Sequence, residues 1–254
     1  MILPGLHSVT FRHLPVGEIA ALASAHGLLA IEWAGDVHAP PGDAAAARVA
    51  RTAAADHGLT ITGYGSYHAA GDDPTDDFAP ILDTACRLGA PSIRVWAGRR
   101  SSNDSDAHHR AAVIDGLTSV VAQASDAGVT VALEFHAGTL TDTPRGAEDL
   151  CTRTGTLSHW QPPVGLDDDV ALEGLSQVIP HLGAVHAFSW SATGERLPLA
   201  GRADLWRAAL AQVEMLPSTH PVLLEFVADD DPANLAQDAV DLLSLTAGAS
   251  RVDQ

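Results

Sequence analysis

Two five-residue segments of this chain read almost alike: Val131-Ala132-Leu133-Glu134-Phe135 and Val222-Leu223-Leu224-Glu225-Phe226. Each is an apolar, strand-like run with one glutamate near its C-terminal end. An ionised carboxylate in such a run is costly to bury unless it is paired, hydrogen-bonded or bound to a metal. Two acids at matching places in two strands point to one shared site. His186, in the run Ala184-Val185-His186-Ala187, is the third sharp member. Two carboxylates and an imidazole make a hard, mixed oxygen–nitrogen donor set that suits Mn²⁺, Mg²⁺, Co²⁺ or Zn²⁺. In the competing assignment each glutamate pairs with Arg94, but one arginine does not easily satisfy two acids and also account for His186.

The elements that would carry these residues repeat along the chain. A glycine followed by an apolar run recurs at Gly27, Gly58, Gly89, Gly128, Gly155 and Gly183. The stretches before these glycines, such as 16–26, 44–57, 80–88 and 107–127, have helical patterns. Glycine just past a helix is the usual left-handed stop. Eight apolar strands are expected near 2–11, 28–33, 59–64, 92–96, 129–135, 156–161, 184–190 and 221–227, each followed by a helix. Eight βα units in this length fit a single α/β domain over 1–254, a closed (β/α)8 TIM barrel. A doubly wound open sheet would carry a glycine-rich phosphate turn after its first strand, and Leu6-His7-Ser8-Val9-Thr10 is not one.

Composition narrows the function. The 254 residues are 46% hydrophobic, enough for a sizeable core. The net charge of −18 opposes nucleic-acid binding, which relies on clustered lysine and arginine. All 14 basic residues are arginines. Without lysine there is no Schiff-base aldolase, no lysine-anchored pyridoxal cofactor and no P-loop lysine. Cys86 and Cys151 lack metal or redox spacing and are expected as buried thiols in a reducing cytoplasm. No signal peptide is read at the N-terminus, and no apolar stretch reaches the roughly 18 residues that span a bilayer. A soluble, cytoplasmic protein is expected. A homo-oligomer is compatible with the chain, although its acidic outer helices show no clear apolar stripe.

Active sites of such barrels sit at the C-terminal ends of the strands. The polar groups there, in strand order, are His7; Glu32, with His38 beyond it; Tyr64, Tyr67 and His68; Arg94 and Trp96; Glu134 and His136; His159 and Gln161; His186 and Trp190; and Glu225. Of these, His7, His38, Tyr64, His68, Trp96, His136 and Trp190 are candidate substrate contacts. Arg196, in the loop after the seventh strand, is another, able to hold a carboxylate or phosphate.

In these motifs the chain resembles the xylose-isomerase-like TIM-barrel superfamily of sugar isomerases and epimerases. The resemblance covers nearly the whole chain. It rests on Gly5-Leu6-His7-Ser8-Val9-Thr10-Phe11, Ile31-Glu32-Trp33 with His38, Leu133-Glu134-Phe135-His136, Val185-His186-Ala187-Phe188 and Leu224-Glu225-Phe226. It implies a single divalent ion, Mn²⁺ first, held by Glu134, His186 and Glu225 and by a group from the sixth strand. The family has aspartate there, whereas this strand ends at Trp160-Gln161 before Pro162-Pro163. Gln161 is preferred as the fourth ligand over Asp167, which precedes a helical pattern and suits an N-cap. The aspartate that usually follows the strand 7 histidine is also missing, since Ser189-Trp190 stand there.

The resemblance further implies that Glu134 and Glu225 share acid/base roles in moving a proton α to the carbonyl of a ketose, hydroxy-ketone or keto-polyol, through a metal-stabilised enediolate. Proton return gives epimerisation or isomerisation, and loss of a β-hydroxyl gives dehydration. Two further readings are a catalytically inactive binding or assembly barrel and, last, an apurinic endonuclease, which needs three zinc ions and extra ligands that this chain lacks.

Overall fold

The computed structural model describes residues 1–249. Eight parallel strands close on one another in the order β1-β8-β7-β6-β5-β4-β3-β2. They are β1 (Ile2–His7), β2 (Ala30–Ala34), β3 (Thr60–Ala69), β4 (Ser92–Trp96), β5 (Thr130–Glu134), β6 (Leu157–Trp160), β7 (Leu182–Ala187) and β8 (His220–Leu224). The helices that follow them are α1 (Val16–Ala25), α2 (Ala44–Asp56), α3 (Phe78–Leu88), α4 (Ala107–Asp126), α5 (Pro144–Thr154), α6 (Asp168–Val178), α7 (Ala203–Glu214) and α8 (Pro232–Ala249). This is the (β/α)8 barrel that the alternation of strand and helix patterns indicates.

Side chains alternate across each strand. Ile31 and Trp33, Ile93 and Val95, and Trp160 and Val185 belong to the apolar layer shared with the helices. That layer is thin on the helix side because α1 and α2 present alanines, Ala20, Ala23, Ala47, Ala50 and Ala54, which let the helices lie close to the barrel. The residues between them point the other way. Glu32 on β2 reaches His186 on β7, and Arg94 on β4 reaches Glu32; contacts between strands that are not neighbours must cross the barrel interior.

Local signals set the helix ends. The Asp43 side chain caps α2 by accepting from the Ala45 and Ala46 amides, and Asp106 and Thr143 cap α4 and α5. Gly89 and Gly155 stop α3 and α5 in the left-handed conformation at φ 73° and 72°. Gly183 departs from the expectation: it lies inside β7, and α6 instead ends through a 3-10 turn at Ile179–His181, where Pro180 stops the helical ladder.

Several strands differ from their expected lengths: β1 ends at His7, where Ser8–Phe11 turns into a 3-10 helix, and β8 ends at Leu224. β3 runs on to Ala69, carrying Ser66, Tyr67 and His68 beyond the rim. β7 stops at Ala187, and Ser189–Trp190 pairs antiparallel with Arg196–Leu197 as a separate ribbon. Cys151 is buried, and burial pushes its thiol up to about 11, whereas Cys86 is exposed on α3. The buried stripe of that helix is Ile81, Thr84, Ala85 and Leu88, and Cys86 falls off it. Among the described residues, no helix is long and apolar enough to cross a membrane.

Gly63 and Gly65 make room for the interior charges. A Cβ on Gly63 would lie 3.0 Å from Glu32 Oε2, and one on Gly65 would lie 2.8 Å from an Arg94 guanidinium nitrogen and 3.1 Å from His7 Nε2. Gly65→Ala is therefore expected to destabilise the fold by ~1–3 kcal/mol through overpacking. Gly17→Ala, on an open face of α1, should be neutral or stabilising by up to ~1 kcal/mol. Urea denaturation of the two variants checks the contrast; equal midpoints would refute the packing account.

Candidate active site

The interior polar cluster has two tiers that share His186. Around Glu32 stand His7 Nε2 at 3.3 Å, His186 Nε2 at 3.4 Å, Arg94 Nε at 3.5 Å and His159 Nδ1 at 3.6 Å. All five residues are buried. Burial alone would raise the Glu32 pKa, but His7 and His186 outweigh it and hold the carboxyl well below its ordinary value. His7 Nδ1 accepts from the Val9 amide at 3.1 Å, so the neutral ring carries its proton on Nε2, facing Glu32.

Glu134 and Glu225 form the second tier. His186 Nδ1 lies 3.6 Å from Glu225 Oε2 and 4.0 Å from Glu134 Oε1. One donor atom from each of Glu134, His186 and Glu225 falls within 4.8 Å of the other two. The two glutamates differ in their surroundings. Glu134 Oε2 accepts from both the Arg94 guanidinium and the Trp96 indole N–H. Burial pushes the Glu134 carboxyl up, Arg94 and then His186 pull it down, and the balance is about 2. Glu225 Oε2 is buried with no hydrogen-bond partner, as is His186 Nδ1. Burial lowers the His186 pKa, but Glu225 and Glu32 prevail and raise it.

The fit of this cluster to a divalent cation rests on those unpartnered atoms and on charge. With the imidazoles neutral, as a metal-ligating His186 must be, three buried carboxylates, Glu32, Glu134 and Glu225, face one buried guanidinium, Arg94, which leaves two negative charges. A dication would balance them. Glu32 beside His186 Nε2 is also the arrangement that directs an imidazole's other nitrogen toward a metal. Glu134, His186 and Glu225 thus suit such an ion.

The other candidate residues divide by location. His136 stacks on Trp96 with centroids 5.1 Å apart. His136, Gln161 and Trp190 line a cleft of about 420 Å³ with Phe135, Asp142 and Phe226. Gln161 is nearly buried there, with Oε1 unpartnered. Asp167 instead precedes α6 and lines a neighbouring pocket with Arg202. Tyr64 belongs to the apolar layer and donates its hydroxyl to the Ala39 carbonyl at 2.7 Å. His38 Nδ1 lies 3.0 Å from the Ser8 hydroxyl, and His68 lines a separate pocket with Asp36, Asp73 and Asp77. Arg196 is in the short ribbon, paired with Asp230 and 5.0 Å over the Phe226 ring.

Glu32, Arg94 and His159 stand among the strand-end residues in the sequence, yet nothing there distinguishes them as the lower tier. The available signal is an ionisable residue between two apolar ones, as in Ile31-Glu32-Trp33 and Ile93-Arg94-Val95.

A closed parallel barrel with buried acids and imidazoles at the C-terminal strand ends defines the class, and sequence comparison names it. The chain belongs to the xylose isomerase-like TIM barrel family, whose model matches residues 20–243. No functionally curated protein matches it by sequence. Among solved structures, it is similar to the probable 3-DHS dehydratase AsbF of Bacillus anthracis, involved in petrobactin synthesis (18% identity, 97% of this chain and 99% of that one, TM-score 0.77). It is also similar to a D-allulose 3-epimerase from Methylomonas sp. (16%, 96% and 98%, TM-score 0.73). A third is a xylose isomerase-like TIM barrel protein from Mycobacterium smegmatis, in complex with magnesium (16%, 94% and 91%, TM-score 0.66). At these identities the likeness is one of fold.

Two predictions follow from the buried ionisable groups. Burial lowers the pKa of His38, His68 and His159, the last to about 4. Such a group takes its proton first in the unfolded chain, so the stability it contributes is complete above pH 6.5 and is lost as the pH falls toward the folded pKa. Glu32 and Glu134 add losses of the same sign below 4.5, while His186 contributes in the opposite sense and loses its stabilisation as pH rises above 6.5. The melting temperature should drop between about pH 7.5 and pH 5, and His68→Gln should show a smaller drop; a wild-type curve flat over this range would refute it. Glu32→Ala leaves Arg94 without one of its two buried acids and should cost ~3–5 kcal/mol in denaturant unfolding. A loss below about 1 kcal/mol would show that Glu32 does not anchor the lower tier.

Proposed function

We propose that this chain is a divalent-metal-dependent isomerase or epimerase of a ketose, hydroxy-ketone or keto-polyol. The observation that carries this reading is the cluster of Glu134, His186 and Glu225, three buried donors within 4.8 Å of one another. Glu134, His186 and Glu225 would hold the ion, with Gln161 as fourth ligand, and Mn²⁺ suits this oxygen-rich set with one imidazole. When bound, such an ion supplies Lewis acidity that polarises a carbonyl.

The chain's own residues then divide the work. Glu134, fixed by the Arg94 guanidinium and the Trp96 indole, stays ionised and holds its position. Glu225, whose Oε2 has no donor, is the group with a free lone pair to take the proton α to the carbonyl. Glu32 accepts from His186 Nε2 and keeps Nδ1 aimed between the two acids. His136, stacked on Trp96 beside Glu134, walls one side of the cleft. The same abstraction precedes loss of water when a leaving hydroxyl lies β to the carbonyl, so dehydration is the alternative outcome at this site.

Elemental analysis tests the reading first. Wild-type protein supplied with Mn²⁺ should hold about one ion per chain, and Glu134→Ala and His186→Ala should lose it. Glu225→Gln should keep most of the ion through its amide oxygen, yet exchange the substrate α-proton with D₂O ~10²–10⁴-fold more slowly than wild type. A wild-type protein that takes up no Mn²⁺ or Co²⁺ would sink the proposal.

A further inference from the structure

The cleft beside the acid cluster has an unusual balance of surfaces. Phe188, Trp190 and Phe226 form a triangle with ring centroids 5.5–5.6 Å apart, and all three line it. Three of its polar atoms are buried without partners: the Trp190 indole N–H, Asp142 Oδ1 and Gln161 Oε1, the last assigned above to the ion. The other Asp142 oxygen accepts from the Ser102 amide at 2.9 Å, which fixes the carboxylate against the wall.

The two arginines beside the aromatic triangle are already engaged. Arg196 is paired with Asp230 and lies over Phe226, and Arg202 donates to Asp168 at 2.6 and 2.9 Å. Deeper in, Arg94 serves Glu134 and Glu32. A dication in the upper tier would bring that centre only to neutrality. Among the described residues around the cleft, then, each of these cationic groups is matched by a carboxylate of the chain itself.

We infer that the cleft takes an uncharged polyhydroxy-ketone with an apolar face, and rejects phosphorylated or carboxylated counterparts. This rests on the ketose reading above. A hydroxyl can donate to Asp142 Oδ1 and another can accept from the Trp190 N–H, while a C–H face lies on the aromatic triangle. A phosphate in the same place meets the Asp142 carboxylate with no unengaged guanidinium to receive it.

Calorimetric titration of the full chain with Mn²⁺ present tests this, using D-fructose and D-psicose beside their 6-phosphates. The free ketoses should bind at least about tenfold more tightly than the esters. Asp230→Asn should narrow that gap by releasing Arg196, because asparagine tolerates the left-handed backbone at this position, φ 51°. Esters that bind as tightly as the free sugars in the wild type would overturn the inference and leave the ketose reading standing. If neither form binds while Mn²⁺ does, both fall together. A gap unchanged in Asp230→Asn would overturn the part assigned to the Arg196 pairing.

Discussion

The rest of the interior depends on the burial of Arg94. A guanidinium inside a barrel has no water to solvate it, and it cannot shed its proton. It is tolerable only if carboxylates come to it, and two do: Glu134 from β5 next door and Glu32 from β2 on its other side. Burial would lower the Arg94 pKa, and the two acids more than reverse this, so it stays charged. The demands then pass outward. Glu32 takes a hydrogen bond from His186 Nε2 at 3.4 Å, with His7 and His159 nitrogens standing 3.3 and 3.6 Å from its oxygens. The space for so many polar groups comes from Gly63 and Gly65 on β3, where any side chain would collide with them.

The same interaction makes the two upper glutamates unequal. Glu134 is saturated on one oxygen by Arg94 and Trp96, while Glu225 ends a strand whose neighbours give its Oε2 nothing. A carboxylate surrounded by donors is held rigid and ionised, and one short of donors gains most from a cation or a proton. The inequality thus arises from the barrel's register: Arg94 pairs with Ala132, two residues before Glu134, and its long side chain reaches that acid but not the far wall.

Much of the architecture was legible because it depends on local chemistry. Glycine stops and short apolar runs mark the βα units, and they mislead where the signal has two meanings. Gly183 follows a helix in sequence but serves a strand, since Pro180 had already ended the helix. The apolar Phe188-Ser189-Trp190 looks like more of β7, yet the chain turns out into a ribbon there. The Glu134, His186 and Glu225 cluster was legible as a group because the two acids stand near the ends of near-identical apolar runs and His186 sits within another. Its lower tier was not, because no repeated segment in the sequence ties Glu32 to His7, His159 or His186. The direction of Tyr64 could have been read: it stands between Gly63 and Gly65, and if the glycines face a crowded interior, the tyrosine faces out.

The loop after β8 shows where the fold accepts strain to shape the cleft. Phe226, Asp229 and Asp230 all have positive φ, 52°, 60° and 51°, and for an aromatic residue this is a true outlier. Each such residue costs ~1–3 kcal/mol, and it persists only when its surroundings over-determine it. Here they do so from three sides. The Phe226 amide donates to the Thr10 hydroxyl at 3.1 Å, its ring meets Phe188 and Trp190, and Arg196 covers it while pairing with Asp230. An extended backbone at Phe226 would carry the ring away from the aromatic triangle. The strain at the position after Glu225 therefore does two things at once: it turns the chain away from the barrel mouth beside the unpartnered carboxylate, and it supplies one wall of the cleft above it.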